Sequence, residues 1–511
     1  MEPAPIVVIG AGISGLAAAH HLLERWPQRG RRWSLLVLEA SEQCGGVIRT
    51  IERDDLLLDT GPDNFITTKP WALDLSRRLG IDDQLIPTSG SHKRALVVRR
   101  GRLLPVPDGF LLMAPTRWWP IISTPIFSLP GKLRMAMERL IPRRELDESS
   151  DESLASFVTR RFGREALERL VQPLMSGVYT AVPESLSLRA TMPQFLDMER
   201  EHGSVIRGMR RAAASRKRGE SGARYSMFMT YRRGMRTLTD ALAGRIGSQR
   251  IQTGCRAVSI ASVAQTPDEP TVRWCIRLDD GRDLLAAGVI LAGSTQTSAR
   301  LLTEAAPMLS RMLMNIEYAS AAVVHLAYAR RQVGHPLDAY GFVVPRQEKR
   351  RLIAASFSSV KYEGRAPQDK VLIRVVMGGA LQPQLMQLDD DDLVHAAHDE
   401  LRSLLHIDGQ PELSLVHRHH QVMPQYTVGH LKGVAAIHER TAALRGLELA
   451  GNGFEGVGVP DCIHAGEQAA ERLLASLDRP IEGEDTPFGR AKAGGSYRQS
   501  GSDSSMSPVT A

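Results

Sequence analysis

Cysteine is scarce in this chain of 511 residues. The four cysteines, Cys44, Cys255, Cys275 and Cys462, are scattered, and no two form a CxxC pair. This spacing excludes a cysteine zinc site or a redox dithiol, and it is typical of proteins from a reducing compartment. The chain also lacks an apolar run of about 18 residues, which a membrane-spanning helix requires. The first predicted strand begins at Ile6, so we expect no signal peptide.

Aromatic residues are also few, at 5% of the chain, and the net charge is a modest +7. The basic residues cluster between Arg200 and Arg236, where they could attract an anionic lipid or substrate. No aromatic-rich nucleic-acid module lies beside them. We therefore predict neither a nucleic-acid partner nor a metal site.

A glycine-rich turn dominates the start of the chain. The apolar run Ile6–Ile9 leads into Gly10–Gly15, and a second apolar run, Leu35–Leu38, ends on Glu39. In a strand–turn–helix unit these glycines allow the tight turn, the close approach of a pyrophosphate and the packing of helix on strand. An acidic residue after the second strand can accept both hydroxyl protons of a ribose. The pattern predicts a dinucleotide site.

Two further motifs favour FAD over NAD. A second glycine pair, Gly45-Gly46, follows the acidic strand, and Gly61-Pro62-Asp63-Asn64 comes soon after it. Near the other end of the chain, residues 449–458 form another glycine-rich segment before a helix-like stretch at Gly466. We predict that both ends of the chain bind one flavin and form one domain.

The middle of the chain differs in character. Residues 151–215 have a helical pattern, Gly288–Gly293 fits a strand of the parallel sheet, and segments 319–328, 339–345 and 370–378 alternate like an antiparallel sheet. The pair Trp118-Trp119, with apolar and cationic neighbours, suits a bilayer interface. Burial of both tryptophans in a helical subdomain is the alternative.

Several motifs in order resemble the protoporphyrinogen oxidase family in its bacterial form, over nearly the whole chain to about residue 477. They include Gly45–Thr50, Glu201–Met209, Phe357–Lys361, Pro424–His430 and Gly456–Cys462. The resemblance implies an α/β (α+β overall) fold: a Rossmann-like FAD-binding domain, an inserted antiparallel-sheet substrate domain and a helical membrane-binding lobe. The expected divisions are 1–88, 216–300 and 436–478 for the FAD domain, 89–107 and 301–435 for the substrate domain, 108–215 for the lobe, and 479–511 for a disordered tail.

The resemblance also implies site residues. The FAD contacts carry over to Gly10, Ala11, Gly12, Ile13, Ser14, Gly15, Glu39, Ala40, Gly46, Val47, Gly61, Pro62, Asp63, Asn64, Ala257, Asn452, Val457, Gly458 and Val459. Arg94 falls where the family pairs an arginine with a substrate propionate, and Tyr340 falls where an aromatic residue stacks on a pyrrole ring. Gly177 belongs to a stretch that lines the substrate slot, although Thr180-Ala181 departs from the family pattern.

The implied activity is the oxidation of protoporphyrinogen IX to protoporphyrin IX by hydride transfer to FAD, with dioxygen reduced to H2O2, in haem biosynthesis. Aromatisation drives the reaction, so we assign no catalytic nucleophile or base. The expected location is cytoplasmic, with the protein attached peripherally to the inner membrane surface. A homodimer and a contact with the next enzyme of the haem pathway are compatible with this assignment.

Three alternatives stay open. Coproporphyrinogen III carries four propionates rather than two and would need more cations, but the sequence does not place Lys93, Arg189 or Lys361 well enough to decide. An amine oxidase is the second alternative, and an inactive flavin-binding scaffold is the third. Asp63 raises a separate question, because an unpaired anion near the flavin would disfavour its reduced form.

Overall fold

The computed structural model describes residues 4–29, 33–90, 94–111, 113–144, 151–219, 227–263 and 272–478, without the side chains of 28, 29, 111 and 213–219. The tail predicted at 479–511 lies outside these residues.

Five parallel strands form the first sheet. In spatial order they are β12 (Ile251–Gln252), β2 (Leu35–Leu38), β1 (Ile6–Ile9), β16 (Gly288–Leu291) and β22 (Leu447–Leu449). Every residue of β1 and β16 is buried, because both faces of the sheet are covered. The strand predicted at Gly288 is therefore confirmed, and it pairs with β1.

The second large sheet has seven strands. In spatial order its strands are β21 (Leu413–Pro424), β17 (Tyr318–Ala329), β20 (Lys370–Gly378), β19 (Ala354–Phe357), β18 (Gly341–Val343), β7 (Leu96–Arg99) and β8 (Arg102–Pro105). The predicted antiparallel pairing is confirmed from β21 to β18. The β18–β7 pair is parallel, which departs from the predicted antiparallel sheet, and the two strands are 246 residues apart in the chain.

The remaining strands form small antiparallel sheets. These are β3 (Thr50–Arg53) with β4 (Leu56–Asp59); β5 (Phe65–Ile66), β11 (Phe228–Tyr231) and β6 (Leu85–Pro87); β9 (Phe110–Leu111) with β10 (Ala114–Pro115); and β13 (Ala257–Ser262), β14 (Trp274–Leu278) and β15 (Asp283–Ala286).

The helices of the described residues surround these sheets. They are α1 (Ile13–Arg25), α2 (Trp71–Leu79), α3 (Trp119–Ser123), α4 (Leu129–Ala136), α5 (Leu154–Phe162), α6 (Arg164–Ala166), α7 (Gln172–Tyr179), α8 (Leu188–Thr191), α9 (Pro193–His202), α10 (Val205–Gly219), α11 (Arg236–Ile246), α12 (Thr295–Leu301), α13 (Pro307–Met314), α14 (Ser358–Lys361), α15 (Asp390–Leu405), α16 (His430–Ala442) and α17 (Val459–Asp478). The helical pattern predicted for 151–215 is confirmed by α5 to α10.

The two ends of the chain meet where α17 crosses α1. A Cβ atom added at Gly466 of α17 would lie 2.1 Å from the Ser14 carbonyl oxygen of α1, so only glycine allows this approach. Leu16 of α1 and Ile463 of α17 are buried in the same hydrophobic core. The C-terminal helix thus packs directly behind the N-terminal glycine-rich turn.

Candidate functional site

The segments predicted to bind the cofactor follow the strands of the parallel sheet, and we call the carboxyl edge of this sheet the cofactor groove. Gly10 follows β1, Glu39 follows β2, Ala292 follows β16 and Ala450 follows β22. In open α/β sheets, this edge is where ligands bind. The structure therefore brings the predicted N-terminal and C-terminal cofactor segments to one edge.

The glycine-rich turn presents the start of α1 to this groove. A Cβ atom at Gly15 would lie 1.9 Å from the Gly10 carbonyl oxygen, which leaves no room for another residue. Ile13 and Ser14 begin the helix, Gly12 stands at its N-cap position without a side-chain cap from the described residues, and no acid occupies the first turn. The free N–H groups and the helix dipole can accept a pyrophosphate.

Glu39 lies half-buried beside this turn. Its carboxylate accepts hydrogen bonds from the Ala11 N–H at 2.7 Å and from the Ser41 N–H at 2.8 Å, so its position is fixed by the backbone. The next residue, Ala40, is exposed. The Glu39 carbonyl oxygen accepts from the Cys255 N–H at 2.9 Å, which brings the strand that starts at Ala257 towards the same side. A ribose diol could bind here.

The second glycine pair, Gly45-Gly46, lies against the N-terminal glycine-rich turn. The Gly45 N–H donates to the Ala11 carbonyl oxygen at 2.8 Å, and Gly46 lies next to Gly12. Val47 is 40% exposed although it is apolar. Such an apolar side chain, open beside a row of backbone donors, suits the wall of a cofactor groove.

The C-terminal segment follows β22 at the same edge of the parallel sheet. The Asn452 carbonyl oxygen accepts from the Tyr426 hydroxyl at 2.5 Å, and the same hydroxyl oxygen accepts from the Gly456 N–H at 2.8 Å. Val457 and Gly458 are half-buried, and Val459 begins α17. The segment that follows β22 therefore leads directly into the N-terminus of this long helix.

Gly61 to Asn64 connects the groove to the seven-stranded sheet. Pro62, Asp63 and Asn64 are half-buried. The Asp63 carboxylate accepts from Asn64 Nδ2 at 2.6 Å and from Lys361 Nζ at 3.0 Å. Burial by itself would raise the pKa of Asp63, but the charges of Lys361 and Arg374 outweigh it and hold that pKa well below its usual range. Asp63 is therefore an ionised but compensated carboxylate.

Two buried histidines lie under the same loop. His419 Nε2 is 2.8 Å from the Thr60 carbonyl oxygen, and burial lowers the pKa of His419 to about 4. Burial, with Arg374 adding to it, lowers the pKa of His325 to about 3. Both imidazoles are neutral near pH 7, so they shape the site without adding charge.

The predicted substrate residues come together at one end of the seven-stranded sheet. The Tyr340 N–H donates to the Arg94 carbonyl oxygen at 2.9 Å. The Arg94 guanidinium is exposed and pairs with Asp338, while its Nε donates to the Asp338 carbonyl oxygen at 2.9 Å. Gly177 of α7 faces Val343 of β18, where an added Cβ would lie 4.0 Å from Val343 Cγ1. Arg94 thus lies at the border of the apolar surface that Gly177 and Val343 form.

Arg374 is a site residue that the sequence did not reveal. Its Nη2 donates to the Gly61 carbonyl oxygen at 2.7 Å, and it helps to hold Asp63 ionised. The one available signal was a charged residue inside the otherwise apolar strand Lys370–Gly378. Lys361, which the sequence left undecided, is now placed beside Asp63.

The helical region carries an exposed apolar stripe. Its members, with their exposed fractions, are Trp119 (77%), Ile122 (57%), Leu129 (76%), Leu133 (67%), Met137 (51%) and Leu140 (77%). Leu129, Leu133, Met137 and Leu140 follow each other along α4 and the 3₁₀ turn Met137–Leu140, so they share one face. Trp118, in contrast, packs against the hydrophobic core. Burial of both tryptophans is therefore wrong for Trp119, and the bilayer contact stays a prediction.

An inward-facing carboxylate sets the orientation of this stripe. Glu138, between Met137 and Arg139, is fully buried. It pairs with the equally buried Arg161 and accepts from the Val205 N–H at 2.9 Å. Because the buried pair is costly to separate, it anchors the turn and keeps Met137 and Leu140 outside. In the described part of the chain, no helix combines the length and apolarity that crossing a bilayer demands.

Comparison with known proteins agrees with this geometry. The flavin containing amine oxidoreductase family matches residues 13–474. A crystal structure of a protein from Exiguobacterium sp. 255-15 superposes with a TM-score of 0.80 at 26% identity, covering 94% of this chain and all of the other. The chain belongs to the flavin containing amine oxidoreductase family, and it is an FAD-dependent oxidoreductase. The predicted FAD cofactor and mixed α/β fold are confirmed.

Two relatives with more specific names indicate which kind of oxidoreductase the chain is similar to. A relative named coproporphyrinogen III oxidase from Bacillus subtilis (strain 168) is 32% identical over 92% of this chain and 98% of its own. A relative named protoporphyrinogen oxidase from Bos taurus is 30% identical over the same two shares. Both similarities cover the substrate sheet and the helical region as well as the FAD motifs.

Proposed function

We propose that this protein oxidises a porphyrinogen to the porphyrin, with protoporphyrinogen IX as its substrate. The observation that carries the proposal is similarity at 30–32% identity over more than nine-tenths of the chain to relatives named for such oxidations. The shared FAD motifs alone would match only residues 10–64 and the segment that starts at residue 449. The similarity includes the elements that bear Arg94, Gly177 and Tyr340.

The residues around the groove fit FAD in kind and position. Backbone N–H groups at the start of α1 face an anion, Glu39 suits a ribose, and the Gly61 loop and α17 supply the far wall. We therefore propose as FAD contacts the residues that the resemblance implied, from Gly10 to Val459. When bound, FAD supplies the acceptor for a hydride and the group that dioxygen reoxidises.

The protein's own part in this reaction is positioning. We propose that Arg94 exchanges its contact with Asp338 for a propionate, because a guanidinium pairs well with a carboxylate. The Tyr340 hydroxyl donates a 2.6 Å hydrogen bond to the Ser89 carbonyl oxygen, which fixes the orientation of its ring. Gly177 and its apolar neighbours would cover the macrocycle and keep water away. In each two-electron step the substrate loses a hydride and a proton, and one dioxygen becomes hydrogen peroxide.

Coproporphyrinogen III is the second candidate. It is favoured by the Bacillus subtilis relative, which is slightly more similar than the bovine one. The test is to offer each porphyrinogen separately to purified, FAD-loaded protein and to follow oxygen uptake and porphyrin fluorescence. A higher kcat/KM for protoporphyrinogen IX supports the main proposal, and the reverse preference supports the second candidate. Absence of oxidation of both, with FAD bound, would contradict both.

The exposed apolar stripe supports a membrane contact. Six large apolar side chains stand open beside the exposed Arg139 and Arg143, a combination that suits an anionic bilayer surface. We propose that α3, α4 and the following turn rest on the cytoplasmic side of the cell membrane. A porphyrinogen is poorly soluble in water, so attachment at a lipid surface would bring the slot close to its substrate.

The domain divisions are also proposed. The parallel sheet draws its strands from residues 6–38, 251–291 and 447–449, and the seven-stranded sheet draws its strands from 96–105 and 318–424. These sources support a FAD domain at 1–88, 216–300 and 436–478 and a substrate domain at 89–107 and 301–435. The intervening 108–215 supplies the helical lobe.

A further inference from the structure

Lys361 occupies an unusual position for a lysine. It ends the short helix α14, and its side chain is only 15% exposed. Among the described residues, Asp63 is the one hydrogen-bond partner of its ammonium group, at 3.0 Å. An ammonium group has three N–H donors, so a half-buried lysine with a single acceptor keeps donors for another anion.

The surroundings of Lys361 carry more positive than negative charge. Asp59 pairs with Arg365 at 3.3 Å, and Asp63 pairs with Lys361. Arg374 adds a third cation without a carboxylate of its own, and its buried Nε has no hydrogen-bond partner among the described residues. Buried charge is stable only when it is compensated. This cluster is therefore built to receive one further negative charge.

A continuous series of hydrogen bonds joins Lys361 to Arg94. The Lys361 carbonyl oxygen accepts from the Ser89 N–H at 2.9 Å. The Ser89 carbonyl oxygen accepts from the Tyr340 hydroxyl at 2.6 Å, and the Tyr340 N–H donates to the Arg94 carbonyl oxygen at 2.9 Å. The backbones of Lys361 and Arg94 are thus both linked to Tyr340, that of Lys361 through Ser89. Each of the two cations is paired with a carboxylate of the protein that a ligand could share.

We infer that Lys361, held in place by Asp63, is a second carboxylate anchor of the substrate slot. The slot then binds a macrocycle that carries at least two carboxylates, one at Arg94 and one at Lys361. This inference rests on the proposed function, because it assigns the second carboxylate to a porphyrinogen or porphyrin. It also makes Asp63 a positioning residue that joins the cofactor loop to the substrate.

The test measures equilibrium binding to the FAD-loaded protein. Protoporphyrin IX and its dimethyl ester are delivered from the same detergent micelles, and quenching of tryptophan fluorescence gives each Kd. We expect Lys361→Met to weaken binding of the diacid about tenfold, the equivalent of one charge-assisted hydrogen bond, and to leave the ester within about twofold. Lys361→Arg is expected to restore binding of the diacid.

Two further variants sharpen the comparison. Lys370→Met removes the lysine that begins β20 and pairs with Glu412 at 3.5 Å, and it is expected to change neither Kd. Arg94→Met combined with Lys361→Met is expected to weaken the diacid about a hundredfold, because contacts with two separate carboxylates add in free energy. With porphyrinogen as substrate, Lys361→Met is expected to raise KM and to leave kcat within about twofold.

Two outcomes overturn the anchor. One is an equal loss of affinity for diacid and ester in Lys361→Met, which would indicate a structural role. The other is unchanged affinity for the diacid. A failure of the proposed function can be distinguished from these outcomes. If the wild-type protein oxidises no porphyrinogen, the proposed reaction is wrong. If the diacid still binds in a Lys361-dependent way, the anchor at Lys361 stands.

Discussion

The exposed stripe predicts a large loss of membrane binding from two substitutions. Leu133 and Leu140 are 67% and 77% exposed, so their replacement removes little packing from the fold. Glutamine is a suitable replacement, because it forms helices about as well as leucine and is polar. We therefore predict that Leu133→Gln combined with Leu140→Gln detaches the protein from vesicles without changing its fold.

The magnitude follows from the exposed fractions. Full burial of a leucine side chain is worth about 1.5–3 kcal/mol. Scaled by exposures of 67% and 77%, the pair contributes roughly 2–4 kcal/mol if the lipid covers what water now contacts. That free energy corresponds to a loss of about 30- to 1000-fold in the partition coefficient. The upper value holds only for full insertion of both side chains.

The assay is co-sedimentation with vesicles of phosphatidylcholine and phosphatidylglycerol. Met308→Gln combined with Met314→Gln is the matched control, because these α13 residues are 51% and 46% exposed but do not belong to the stripe. We expect the control to partition like the wild type. The reasoning is refuted if the leucine variant loses less than about threefold while keeping its FAD, or if the control loses as much.

Three further predictions concern the cofactor groove and the acid response. Gly466→Ala places a methyl group 2.1 Å from the Ser14 carbonyl oxygen, so we expect a lower Tm and weaker retention of FAD. Asp63→Asn removes the partner of a buried cation and one negative charge, and we expect a higher flavin midpoint potential in dye-coupled reduction. The pKa values of His325 (about 3) and His419 (about 4) lie below the ordinary histidine value, so the unfolded chain binds protons first and stability falls as pH drops below about 6.5. At pH 5 each imidazole would cost up to about 2 kcal/mol, visible as a falling Tm.

Each of these predictions has its own control. Gly433→Ala, on α16, has nothing within 4 Å of the added Cβ, and an equal drop in Tm there would contradict the packing argument. An unchanged flavin potential in Asp63→Asn would mean that its charge does not reach the cofactor. His325→Gln is expected to flatten the dependence of Tm on pH, whereas the exposed His420 can be replaced by glutamine without effect.

The FAD half of the fold could be predicted because its signals are local. The turn at Gly10 and the acidic residue after β2 depend on residues close together in sequence, and the structure places both at one sheet edge. The parallel β18–β7 pair joins residues that are 246 positions apart, and the local pattern of either strand cannot predict such a pairing.

The substrate side depended on contacts that a linear pattern does not contain. Lys361 and Asp63 are 298 residues apart, and Arg374 and Gly61 are 313 apart. In the sequence Lys361 is one cation among many, and Arg374 is a charge in an apolar strand. The same holds for Trp118 and Trp119, which are adjacent in the chain but face opposite environments, one the core and one solvent.

The sequence alone determined the class of cofactor, the strand–turn–helix unit that we propose as its pyrophosphate site, and the resemblance to porphyrinogen oxidases. Those properties follow from backbone conformation and short-range spacing, so each segment shows them without reference to its tertiary contacts. Only the tertiary structure decided which carboxylates pair with Arg94 and Lys361, and which apolar side chains remain outside. The physical reason is that burial and ion pairing depend on what the rest of the chain places against a residue.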